Sequence, residues 1–121
     1  MQFNVVSVGY DPWQTAQMSQ RMRGEGVPTH EFRATTQISL AITELDAAMR
    51  ARRLRHDGNP VLTWCVGNVV GKADRRGNLY STYSRADQKI DAAVAFMMAV
   101  GRAMAEDQER AERVRVEPYA F

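Results

Sequence analysis

The apolar positions near the start of the chain alternate, and further on their period lengthens. Phe3, Val5, Val6 and Val8 form a β-branched run that predicts a strand over residues 3–10. The run stops at Gly9-Tyr10-Asp11-Pro12-Trp13, which places Asp11 at the strand's C-terminal edge. A helix is predicted over residues 12–23, closed by Gly24 and Gly26. Residues 27–34, with Val27, His30 and Phe32, then read as a second, shorter strand. Strand, helix and strand with short joints is the pattern of a parallel pair linked by a crossover.

From residue 37 the apolar positions follow a helical rhythm. Ile38, Ala41, Ile42, Leu45, Ala48 and Met49 mark one face of a helix over residues 37–55. Its last turn is rich in arginine, which suits the negative end of the helix dipole. His56-Asp57-Gly58-Asn59-Pro60 breaks it, and His56 there suits a C-terminal cap better than a ligand. Residues 60–70 fit a buried strand or a short buried helix; Asn59 as cap and Pro60 at the first position favour the helix. Residues 71–83 predict a hairpin around Asp74-Arg75-Arg76-Gly77-Asn78. A final helix over residues 86–113 is apolar nearly all round in its first half, so it is expected to be buried on several sides. Beyond Ala105 it turns charged, and residues 106–121 read as a charged C-terminal extension of a single domain spanning 1–121.

Composition narrows the function without naming it. At 45% hydrophobic and 25% charged residues, the chain has the balance of an ordinary globular domain. A net charge of +2 permits nucleic-acid binding without demanding it. Cys65 is the only cysteine, which excludes a disulfide framework and a cysteine zinc site. No apolar run approaches the roughly 20 residues of a membrane span, and no signal-peptide pattern is present, so a cytoplasmic chain is expected. Gly67-Asn68-Val69-Val70-Gly71-Lys72 imitates a phosphate loop but is one residue short, and Ala73 stands where Ser or Thr is required. A serine hydrolase is disfavoured too, because there is no Gly-x-Ser-x-Gly elbow.

The candidate chemistry rests on carboxylates. Asp91 lies in Lys89-Ile90-Asp91-Ala92-Ala93-Val94-Ala95, where an unpaired charge in an apolar setting would cost several kcal/mol. The plainer account is an acid in the first helical turn, favoured by the dipole, with Lys89 or Arg85 nearby. Asp11 also has a plain account, as a helix cap followed by Pro12 and, three residues on, Gln14. Asp87, one turn before Asp91, is a further candidate ligand or a cap. Carboxylates brought together from separate elements suit hard divalent cations, and phosphodiester cleavage uses two such ions about 3.5–4 Å apart.

Gly9-Tyr10-Asp11-Pro12-Trp13, then His56-Asp57-Gly58-Asn59-Pro60-Val61-Leu62-Thr63-Trp64, then Asn68, then Lys89-Ile90-Asp91 with Ala95 and Met98-Ala99, together resemble the C-terminal nuclease domain of tailed-phage terminase large subunits. The resemblance implies an α/β, RNase H-like fold with a mixed or parallel sheet flanked by helices. It implies a metal-dependent endonuclease that cuts concatemeric DNA during viral genome packaging, with two Mg²⁺ or Mn²⁺ ions. Asp11 and Asp91 take the catalytic and metal-binding positions, Asp87 is a further metal candidate, and Arg75, Arg76 and Lys89 are candidate DNA contacts. Double-stranded DNA is the implied partner, with the rest of the terminase, its small subunit or the portal. In the family a further acid lies on the first strand, before the point where this sequence begins, and the ATPase motor is absent. The chain is therefore expected to lack the family's first strands, to be weak or inactive alone, and to associate with itself through residues 3–8. The segment Tyr83-Ser84-Arg85 also departs from the family's lysine-rich form. The alternative is a non-catalytic DNA-binding or assembly module retained from a prophage. On the nuclease reading, the Asp11 and Asp91 carboxylates should lie within roughly 4–8 Å of each other.

Overall fold

A computed structural model describes residues 3–13, 15–33 and 37–116. The elements run β1 (Val8–Tyr10), α1 (Ala16–Gly24), β2 (Thr29–Glu31), α2 (Gln37–Arg50), α3 (Pro60–Asn68), β3 (Val70–Ala73), β4 (Leu79–Thr82) and α4 (Asp91–Val116). β1 and β2 pair in parallel, as the strand–helix–strand pattern predicts, and β3 and β4 form the antiparallel hairpin. Where one mixed or parallel sheet is expected, the described residues form two separate two-stranded sheets.

α4 is the axis of the molecule, with α2, α3 and β1 packed against it. The core between them is Phe32, Ile38, Ala41, Leu45 and Met97. Gly101 is the position that lets α4 approach. A Cβ there would lie 2.6 Å from the Phe32 ring and 3.2 Å from Ala41 Cβ, closer than carbon atoms tolerate. The core is small, and Phe3, Val6, Trp13 and Val61 remain largely exposed.

Several boundaries differ from the sequence pattern, each for a local reason. Residues 3–7 lie outside β1, because no neighbouring strand among the described residues offers them a ladder. α2 stops at Arg50, five residues before its arginine-rich tail ends. Arg52 takes a left-handed φ of 54°, and the Arg53 N–H closes the turn on the Ala48 carbonyl at 2.9 Å. Residues 60–68 do form the helix that Asn59 and Pro60 favour. The Asn59 side chain accepts from the N–H groups of Val61 (2.9 Å) and Leu62 (3.2 Å). The phosphate-loop imitation disappears in the fold, since Gly67 and Asn68 end α3 and Val70–Lys72 enter β3.

In the hairpin turn, Asp74 accepts from the N–H groups of Arg76 (2.8 Å) and Asn78 (2.9 Å). The Leu79 N–H, donated to Ser39 Oγ at 2.9 Å, ties the hairpin to α2. Among the described residues no helix is long and apolar enough to cross a membrane.

Candidate active site

β1 carries the chain to Asp11. Val8, Gly9 and Tyr10 lie opposite Thr29, His30 and Glu31, and the Phe32 N–H donates to the Tyr10 carbonyl at 2.7 Å. Asp11 is exposed just past this ladder. Its Oδ1 accepts from the Trp13 N–H at 2.9 Å, which closes a tight turn at Pro12. The Thr15 hydroxyl donates to the Asp11 carbonyl. α1 therefore begins at Ala16 with Thr15 as its cap, and not at Pro12. The helix-cap account of Asp11 is replaced by a turn account that uses one carboxylate oxygen, and the other has no hydrogen-bond partner among the described residues.

Asp91 is the first residue of α4 and is exposed. The apolar setting expected for it is corrected: Ala93 and Met97 turn into the core, while Asp91 faces outward on the same helix. Its position at the helix start is stabilised by the dipole, as in the plainer account. The sequence pattern put the helix start near residue 86, but residues 86–88 form a turn. Asp87 is thus not one helical turn below Asp91. Both its oxygens are taken by Arg85, at 3.2 and 3.0 Å. The lead-in to Asp91 is held by Asn68, whose side-chain N–H donates to the Lys89 carbonyl at 3.0 Å. That bond ties the end of α3 to the head of α4.

One cleft connects the two elements that carry the acids. It encloses about 740 Å³ and is lined by residues 4–11, by Met18 and Met22 of α1, and by Ala95, Met98, Ala99 and Arg102 of α4. Asp11 lies in its lining; Asp91 does not, although Ala95, one helical turn on from it, does. Arg75 and Arg76 sit at the exposed hairpin tip and Lys89 is exposed before α4; none of the three lines the cleft. His56 lies outside this cleft, and its Nδ1 accepts from the Gly58 N–H at 3.1 Å within its own turn. Asp74 is committed to the hairpin, and its bonds from Asn78 hold its carboxyl below the usual range. Among the described residues, no three His, Cys, Asp or Glu side chains gather into a group able to hold a metal.

Sequence reasoning missed the polar cluster at the other end of the cleft. The Ser7 hydroxyl donates to Glu106, and Arg102 stands 3.5 Å from both Glu106 and Glu109. The Ser7 hydroxyl first, and then the charge of Arg102, hold Glu106 below the usual carboxylate range. The i,i+4 spacing of Arg102 and Glu106 signals their pairing. Ser7 carries no such signal, being 99 positions away from Glu106 in sequence.

The profile of the family described as terminase large subunit, endonuclease domain, matches residues 1–107. The chain belongs to this family. This terminase nuclease-domain chain is 38% identical over 114 residues to Protein YmfN of Escherichia coli strain K12, covering 92% of itself and 25% of that protein. It is 33% identical over 111 residues to the terminase large subunit of Enterobacteria phage HK97, covering 89% of itself and 22% of that protein. The crystal structure of the HK97 large terminase matches it with a TM-score of 0.70 at 33% identity, over 83% of this chain and 22% of that one. The terminase-family chain thus spans about a quarter of the length of these relatives.

Proposed function

We propose that this chain is a metal-dependent endonuclease domain of the terminase large-subunit type, acting on concatemeric double-stranded DNA in genome packaging in the host cytoplasm. The observation that carries the reading is the family match over residues 1–107, with Asp11 at the end of a strand and Asp91 at the head of a helix. Asp11 and Asp91 are the proposed catalytic and metal-binding acids. Arg75, Arg76 and Lys89 are proposed to hold DNA by its phosphates, which attract arginine and lysine regardless of sequence. The rest of the terminase, its small subunit or the portal are the proposed partners.

A divalent cation such as Mg²⁺ or Mn²⁺ would supply the positive charge that phosphodiester cleavage requires. The described residues do not fit a two-ion centre by themselves. Such a centre draws on several oxygen ligands, and Asp87 and Asp74 are committed to Arg85 and to the hairpin turn. The chain alone is therefore proposed to cleave slowly or not at all, unless a further acid comes from outside the described residues.

Plasmid nicking in Mn²⁺ tests this, comparing wild type with Asp91→Asn. Slow nicking by wild type, lost in the variant, supports the reading. Equal nicking by both overturns it. The lack of a three-acid group among the described residues also favours a second reading, a non-catalytic DNA-binding or assembly module. DNA binding that is unchanged by chelator and never followed by nicking, even with other terminase segments added, would select that reading.

A further inference from the structure

Between α2 and α3 the chain runs from Arg53 to Asn59 without helix or strand, and there it holds the sequence's one Asp-Gly pair, Asp57-Gly58. An aspartate before glycine is the pairing most open to attack by its own backbone, because glycine has no Cβ to shield the attacking nitrogen. His56, Asp57 and Gly58 are all exposed. Gly58 takes a φ of 76°, and apart from its chain neighbours nothing lies within 4 Å of where a Cβ would stand. Two hydrogen bonds then prepare the pair for reaction. The Gly58 N–H donates to His56 Nδ1 at 3.1 Å, which puts a base on the nitrogen. The Asn59 N–H donates to Asp57 Oδ1 at 2.9 Å, which draws electron density from the carboxyl carbon. A base on the nucleophile and a donor on the acceptor oxygen together assist acyl chemistry.

We propose that Asp57 is a site of intramolecular isomerisation, with His56 as the base and a cyclic imide as the intermediate on the way to isoaspartate. Asp57 reacts as its carboxylic acid. The Gly58 nitrogen gives its proton to His56 Nδ1 and attacks Asp57 Cγ. The new C–N bond forms as the C–OH bond breaks, and the proton on His56 goes to the departing hydroxyl, so that one water leaves. Water then returns to the five-membered imide. Addition at Cγ restores aspartate; addition at the backbone carbonyl carbon gives isoaspartate, with the chain running through Cβ and Cγ. Nothing is oxidised or reduced, and water is the only co-reactant. The product gains one backbone atom two residues before Asn59, whose side chain caps α3 through the N–H groups of Val61 and Leu62. The modification thus falls at the seat of α3. It does not depend on the nuclease reading, and failure to cut DNA would leave it untouched.

Ageing the purified 121-residue chain in warm neutral buffer tests the proposal. Enzymatic methylation of isoaspartate counts the product, and fragmentation of the peptide in a mass spectrometer locates it. Isoaspartate should build up at residue 57 about tenfold faster in the folded chain than in the same chain held unfolded in guanidinium chloride. That is less than the roughly hundredfold or more of an enclosed active site, because this loop is open to water. His56→Gln should lower the folded rate to that of the unfolded chain, and Asp57→Glu, which cannot close a five-membered ring, should yield no product there. Build-up in the folded wild type that is absent, or no faster than in the unfolded chain, would overturn the proposal. So would a folded rate that His56→Gln leaves unchanged.

Discussion

Asn68 holds the candidate site through a single bond. Its side-chain N–H reaches the Lys89 carbonyl and fixes the two residues that lead to Asp91. Removing it in Asn68→Ala should cost about 0.5 kcal/mol, the low end for a hydrogen bond, because the pair is exposed. Asn68→Asp should cost at least as much, since a carboxylate cannot donate to a carbonyl. Urea unfolding, with midpoints compared at constant slope, reads both. At this scale the sequence was legible wherever the signal was local. Asn59 and Pro60 state the start of α3, and they start it. The plainer account of Asp91 as a first-turn acid was legible, while the apolar setting was misread because a charge among alanines looks buried when read along the chain. The first turn of a helix shows some of its residues to solvent whatever their neighbours, and Asp91 is one of these.

Among the elements, α4 depends most on one small residue. Gly101→Ala would add a methyl group against the Phe32 ring, which is itself 3% exposed and would have to shift within the core. Overpacking of this kind costs about 1–3 kcal/mol. The gain in helix propensity returns about 1 kcal/mol. A net loss is expected, seen as a thermal midpoint several degrees lower, with helical circular dichroism unchanged below the transition. Periodicity placed Gly101 on the apolar face of this helix but could not say that Phe32, 69 positions earlier, would occupy its space. The end of α2 escaped for a related reason. Its arginine tail is a good helix terminus by charge, and the reversal at Arg52 depends on a backbone angle that composition does not encode.

Across the whole molecule, the bond from Ser7 to Glu106 joins the lead-in of β1 to the second half of α4. Because the folded chain holds the Glu106 carboxyl below its ordinary value, its contribution to stability is complete above that value. The contribution is lost as the pH falls through the lowered value. Between about pH 5 and 3 the wild type should therefore lose stability more steeply than Glu106→Gln, which has no proton to take up. Urea midpoints across that range would show two curves converging towards acid. The parallel pair and the hairpin were legible as separate motifs, whereas this long-range tie and the division into two sheets were not. Burial of the lone thiol adds a different kind of consequence. Cys65 is 3% exposed on α3 and has no cysteine partner with which to scramble. A thiol reagent in solution reaches it when α3 lifts away, so at reagent concentrations high enough to outpace reclosing the pace of labelling counts those openings one by one. Since the far end of α3 also secures the head of α4, the chain carries its own stopwatch for how often the seat of Asp91 comes loose.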